Sequence, residues 1–589
     1  MFSRGAPLSK FRKGSAPSEA MEYNLLLLRF SRSLMIPLAP RFCAERPGRF
    51  GASALLLAAV LSMAQPVVAQ ESSDAPHTKR AAGVATHAKR RADVGRFRAR
   101  VEAALSEAHA QRAYWGVLVE DRDTGETLYE LNADHFFRPG SNTKVFTTAF
   151  ALATLGPDYR FHTTIDSKNP LSENGRLAGD LIFHGGGDPD LSNRKFPYAG
   201  KVERDGPVEK VLIELADAAV AMGLKEVDGD IVSDDSVFPY DPYPAGWSVG
   251  DLFFTFGAPV SAMALNENSI SIEIRPGDHA GDPAVIVVEP GAAIDNFGRE
   301  ITTSAASEKP DFSVVRRPGL NFILLRGSIP LGHAAVKLDL AMTDPTEVTA
   351  RSLKQLLEAR GVRVAGGTRV QHAAPPLRSV DVPVVLPRGR LEPPSNSYIL
   401  AEHTSPALLE SIRLTNKISQ NLHAELLLRT VGQVKAGLGT TDAGLWLEQD
   451  FLKTAGIRDG DAVLVDGSGL SQNNLVTPRA ITDLLLYAFR RPWGADFFST
   501  LPIAGVDGTL ENRMKGTAAA GRVQAKTGTL EHEHSIAGYA TTLHGEHLVF
   551  AIFGNNNLQR GHDATAPLDE LTVAMVETLG TASPQKKKK

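Results

Sequence analysis

Phe97, Val101, Leu105 and Ala108 recur at helical spacing, which predicts an amphipathic helix over 94–111. Two strand-like runs follow at 114–119 and 126–131, joined by the turn residues Asp123, Thr124 and Gly125. An apolar helix is predicted over 145–155, entered sharply through Pro139 and Gly140, so that Ser141 and Lys144 fall on its first turn. A second pair of apolar helical runs lies at 408–418 and 422–431. Strand patterns then follow at Val523–Leu530, 535–543 and 547–554, with a turn at His544, Gly545 and Glu546 and a closing helix over 572–578. This order predicts an α/β (α+β) fold in which helices cover an antiparallel sheet.

Between Ser141 and Ser419 lie 278 positions, and most of them alternate short strands with Gly/Pro/Asp turns. Examples are 179–183, 229–232, 269–274 and 322–325, with packing helices expected at 207–222 and 346–360. That length accommodates one or two inserted domains. The expected partition is a split catalytic domain over 96–164 and 395–580, an inserted domain over 165–245 and 345–394, and a second over 246–344. Gly185, Gly186 and Gly187 follow a strand but open no helix, so they read as a tight turn and not a phosphate cradle.

Composition narrows the classes. Apolar residues are 43% and charged residues 22%, which fits a globular protein. The net charge of −4 hides an asymmetry: residues 1–69 carry nine Lys/Arg against three Glu, +6, leaving −10 on the remainder. A remainder that acidic is a poor nucleic-acid binder. Residues 1–69 read as an extension plus an export signal. Arg41, Arg46 and Arg49 precede the apolar run 52–63, and Val67, Val68 and Ala69 fit cleavage after Ala69. An uncleaved anchor and a true start at Met35 are the alternatives. The single cysteine, Cys43, lies before that cleavage point and lacks a lipobox-like lead, so the exported chain would form no internal disulfide. Residues 70–95 read as a polar, mobile linker and 581–589 as a basic tail. Lys586–Lys589 suits loose contact with an anionic membrane surface, with a solvated end as the default reading.

The candidate chemistry lies in three motifs in one order: Ser141-Asn142-Thr143-Lys144, Ser419-Gln420-Asn421 and Lys526-Thr527-Gly528. Each alone is weak. Ser141 fits a helix N-cap, Lys526 an edge-strand lysine, and Ser419 with Asn421 a helix junction. The ordered set supports acyl transfer through a serine ester. Ser141 is the nucleophile and Lys144 its base, effective only when neutral, through desolvation and repulsion from Lys526. Ser419 can relay the proton to the leaving nitrogen and Asn421 can hold a substrate amide. Lys526 and Thr527 can bind a terminal carboxylate. Gly528 allows close approach of a substrate strand, and the N–H groups of Ser141 and Thr529 form the oxyanion hole. The histidines at 532, 534, 544 and 547 read as surface residues, not a metal site, and no cofactor is expected. Asp188 and Asp507 read as turn residues.

These residues resemble the penicillin-recognising serine peptidases. Within them the chain is similar to the S13 family of D-alanyl-D-alanine carboxypeptidase/endopeptidases, the PBP4-like (DacB-type) low-molecular-weight penicillin-binding proteins. The likeness spans about 98–580 and includes Gly186–Pro189, Gly229–Val232, Ala245–Trp247, Asp466–Ser471 and Leu501–Leu510 as well as the three motifs. It implies a transpeptidase-like domain split by a two-part insertion. It also implies an acyl-enzyme on Ser141, Lys144 as proton acceptor, Ser419 as second catalytic serine and Lys526 as a substrate-binding cation. The implied substrates are peptidoglycan stem peptides ending in D-Ala-D-Ala or cross-linked through D-Ala, with β-lactams as covalent inhibitors. Gln420 departs from the family pattern and is expected to change little. A serine β-lactamase and an inactive wall-binding scaffold are the competing readings.

Overall fold

The computed structural model describes residues 91–580 apart from 317–321, 376–396 and 560. The signal-like segment, most of the expected linker and the basic tail lie outside the described residues. No helix among the described residues is long and apolar enough to cross a membrane.

A five-stranded antiparallel sheet is built from the first and last strands of the described chain. Its order is Val523–Leu530, Glu533–Thr541, His547–Asn555, Tyr114–Asp121, Thr127–Leu131, so the first hairpin of the chain pairs with its last strands. Both faces are apolar because successive strand residues point to opposite sides. Val549, Ala551 and Phe553 join one buried cluster, while Leu548, Phe550 and Ile552 join the other. The first face is covered by Thr143–Leu155, Leu408–Lys417, Asn421–Ala436 and Pro478–Phe489. The second is covered by Ala92–Ser106 and His562–Thr578. Ala92–Ser106 begins earlier than its apolar period predicts because it is anchored at its start. Arg91 pairs with Asp93 and Glu546, and Asp93 accepts from the Gly580 N–H at 2.9 Å.

The intervening chain builds a second five-stranded sheet, ordered Thr368–Ala373, Ile231–Pro239, Leu181–His184, His162–Ser167, Tyr398–Thr404. The first three strands run parallel and the last two pairings are antiparallel. His162–Ser167 and the edge strand Tyr398–Thr404 lie where the chain leaves and re-enters the part built on the first sheet. Helices Lys210–Ala221 and Pro345–Ala359 pack on this sheet, the latter started by Asp344, which accepts from Thr346 and Glu347 N–H groups. The same apolar cluster extends into two three-stranded sheets through Ile272, Ile274, Ile301 and Leu325.

Candidate active site

The turn that carries Ser141 is not the first turn of the helix. Gly140–Asn142 form a separate 3₁₀ turn and the α-helix starts at Thr143 without a side-chain cap. Ser141 therefore does not cap; its Oγ accepts from Lys144 Nζ at 3.0 Å. The turn is pressed onto the third-motif strand. Gly140 has φ +52, and a Cβ there would lie 2.9 Å from Thr529 N. A Cβ on Gly528 would lie 2.1 Å from the Pro139 carbonyl and 2.2 Å from Ser535 Oγ. Packing against the Ser141-bearing turn thus leaves no room for a side chain at Gly528. Ser535 Oγ, opposite Gly528 in register, donates to Pro139 O and accepts from Asn142 Nδ2, both at 2.7 Å.

Lys144 is fully buried and makes three bonds: to Ser141 Oγ, to Asn421 Oδ1 at 2.6 Å and to the Ser468 carbonyl at 2.7 Å. Burial pulls its pKa down to about 7, against the opposing pull of the Asp466 and Glu425 carboxylates. The sequence expectation assigned part of that depression to Lys526. Repulsion between the two amines instead acts on Lys526, which burial and the Lys144 charge hold well below the ordinary lysine range. Lys526 is no surface lysine: it is fully buried, and its Nζ donates to Ser419 Oγ at 2.9 Å and to the Thr527 carbonyl at 2.7 Å.

Ser419 sits in the junction between Leu408–Lys417 and Asn421–Ala436 with φ +63, a conformation uncommon outside glycine. The junction is held from three sides. Lys417 pairs with Asp507 at 2.5 Å in the buried interior, so Asp507 is an ion-pair partner as well as a turn residue. Gln420 accepts from the Leu422 N–H at 3.0 Å as helix cap and donates to Glu267 at 2.9 Å. Gln420, expected to change little, ties the second motif to the inserted region, where Arg194 forks onto Glu267. Asn421 donates to the Phe256 carbonyl at 2.7 Å, a second tie to the insertion. Phe256 stacks on Phe254, with ring centroids 5.3 Å apart.

The third-motif strand forms one edge of its sheet. The Ala525 N–H points outward to Pro502 O at 2.9 Å, so the two-residue period places the Thr527 and Thr529 N–H groups on the same edge. Thr527 Oγ1 is bonded to Thr509 Oγ1 at 2.7 Å.

Sequence reasoning named Asp466–Ser471 only as a family marker and gave the loop behind Lys144 no role. Asp466 accepts from Gly469 N–H, Ser471 N–H, Asn474 and Trp247, which folds Asp466–Ser471 into a compact bend. The sequence signal was its glycine-rich composition, but the contribution to Lys144 is a backbone carbonyl that no side chain advertises. Two other expectations are corrected. His534, read as a surface residue, is buried, and its imidazole pKa is lowered to about 4 by burial and nearby Arg513 and His532. Asp188 makes the expected turn bond to the Asp190 N–H at 2.9 Å, yet it is wholly buried, which pushes its carboxyl upward.

The chain matches the family described as "D-Ala-D-Ala carboxypeptidase 3 (S13) family" over residues 97–575. It is 32% identical over 567 residues to the D-alanyl-D-alanine carboxypeptidase of Actinomadura sp. strain R39, covering 93% of this chain and 94% of that protein. Its fold is similar to the crystal structure of penicillin binding protein 4 (dacB) from Haemophilus influenzae, with TM-score 0.66 and 26% identity over 81% of this chain and 98% of that one. The same Haemophilus protein complexed with a β-lactam matches at TM-score 0.63 and 25% identity, with the same coverage. The chain belongs to the D-Ala-D-Ala carboxypeptidase 3 (S13) family.

Proposed function

We propose that this chain is a serine DD-peptidase. It cleaves a terminal D-Ala, or a D-Ala cross-link, of peptidoglycan stem peptides through an acyl-enzyme on Ser141. The observation that carries the reading is the pair of buried amines, each on its own serine: Lys144 on Ser141 and Lys526 on Ser419. A lysine with pKa about 7 is half neutral at pH 7 and accepts the Ser141 proton as Oγ attacks the scissile carbonyl. The developing oxyanion meets the Ser141 and Thr529 N–H groups. The proton travels by way of Ser419 to the leaving amine, and water then attacks the ester with the same groups in reverse. Lys526, with Thr527, takes the substrate carboxylate, whose charge favours the cationic form of the amine. Asn421 has one amide hydrogen on Phe256, so its second can meet a substrate carbonyl.

A β-lactam presents the same amide and carboxylate, so it acylates Ser141 in place of substrate. Intact mass after incubation with penicillin is the test. One stable adduct, mapped to the Ser141 peptide and lost in Ser141→Ala, is expected. Intact drug with no adduct would overturn the reading.

The protein acts outside the cytoplasm, in the periplasm, after cleavage at Ala69; N-terminal sequencing of the exported form should begin at Gln70. We keep the partition at 96–164/395–580, 165–245/345–394 and 246–344 as the working division of the chain; the separate sheets support it except at its seams, where His162–Ser167 and Tyr398–Thr404 join the inserted sheet.

A further inference from the structure

We propose that Glu425 is a positioning residue for Lys144, holding the amine against Ser141 and tuning its affinity for the proton. The inference rests on the reading of Lys144 as the base. Glu425 lies one helical turn after Asn421 on the same helix and is fully buried. Its carboxylate accepts from the Gly467 N–H at 3.0 and 3.1 Å and from the Ser468 N–H at 2.8 Å. Ser468 in turn offers its carbonyl to Lys144 Nζ at 2.7 Å. One residue therefore separates carboxylate from amine, bonded to both.

The bend cannot drift without consequence. Thr147 Oγ1, on the nucleophile helix, donates to Gly467 O at 2.9 Å. Gly469 approaches Gly140 so closely that a Cβ would lie 2.0 Å from Gly140 O. A shift of this loop moves the Ser468 carbonyl off Lys144 and presses on the turn that carries Ser141.

Charge adds a second action. The groups facing Glu425 are Asp466 in the bend, Arg429 one turn along its own helix, Glu448 on Thr441–Thr454 and Lys144 on Thr143–Leu155. Burial and Asp466 push the Glu425 carboxyl up to about 7, while Lys144 is held at about 7. An ionised Glu425 favours the lysine cation, so removing that charge lets Lys144 lose its proton at lower pH.

Single-turnover acylation by penicillin, followed against pH, separates these actions. Glu425→Gln keeps shape and an acceptor but no charge, and its acid limb is expected to move down by about half a pH unit or more. Glu425→Asp keeps the charge but withdraws the contact, and acylation is expected to slow about tenfold with the acid limb in place. An acid limb unchanged in Glu425→Gln overturns the tuning, and a wild-type rate in Glu425→Asp overturns the positioning. If Glu425→Gln does not fold, the Glu425→Asp rate decides the proposal alone. An absent adduct in wild type would instead be a failure of the DD-peptidase reading.

Discussion

Gln420 and Glu267 are 153 positions apart and meet at 2.9 Å, joining the second motif to the inserted region. Gln420 also caps the helix that begins at Asn421. Gln420→Ala removes both bonds, and the cap alone is worth about 1 kcal/mol. Gln420→Glu should be worse at neutral pH, because a second carboxylate then faces Glu267, which Arg194 keeps ionised. Urea unfolding at pH 7 should rank wild type above Gln420→Ala and Gln420→Ala above Gln420→Glu. The reverse order of the two variants would show that the carboxylates find separate partners.

As the proposed base, Lys144 must be neutral to act, and its pKa is about 7. Below that pH the amine is protonated and cannot accept from Ser141, so acylation should rise with pH through an acid limb centred near about 7. Lys144→Met should slow acylation about 10²–10⁴-fold while leaving the fold intact. Stopped-flow with a chromogenic β-lactam measures both; a rate flat from pH 5 to pH 9 would remove Lys144 as the base.

Gly528→Ala places a methyl 2.1 Å from the Pro139 carbonyl. The strand and the nucleophile turn must part, at about 1–3 kcal/mol as for other overpacked sites. The expected result is a lower melting temperature together with a slower acylation. A variant that loses acylation with unchanged melting would point to substrate approach as the reason for the glycine.

Glu448 is buried beside Glu425 and Asp466, and its carboxyl is pushed up to about 8 by burial first and by those charges second. Its folded pKa lies above its unfolded value, so unfolding releases a proton between about 4.5 and 8, and stability falls as pH rises through that window. Glu448→Gln should match wild type near pH 5 and exceed it near pH 9, seen as a gap in melting temperature that opens with pH. Parallel pH profiles would place the titration elsewhere.

The sequence carried the strand Val523–Leu530 to the residue, because its period of two survives burial on both faces and Lys-Thr-Gly is unique in the chain. It also carried Ser141, Lys144, Ser419 and Lys526, which the fold brings into two bonded pairs. It did not carry the roles of Phe256 or Ser468, although Ser468 lies in the marker Asp466–Ser471. Both contribute backbone carbonyls, and Phe256 comes from 165 positions away, so no local pattern marks either. Glu425 was hidden differently: it reads as one polar position in an apolar helix, and only the amides facing it reveal its task.

Arg138 N–H bonds Asn555 Oδ1 across 417 positions, and Tyr114 pairs with Asn555 in the central sheet. A chain emerging from its N-terminus thus holds the nucleophile long before the strands that support it arrive. The inserted region can assemble meanwhile, since its sheets and helices share one apolar cluster. Closure of the catalytic sheet is the late, long-range event, and slow folding is the cost of such topology. A chain built this way is without Lys526 until almost all of its residues have been added, so the Lys526–Ser419 bond is among the last contacts that can form.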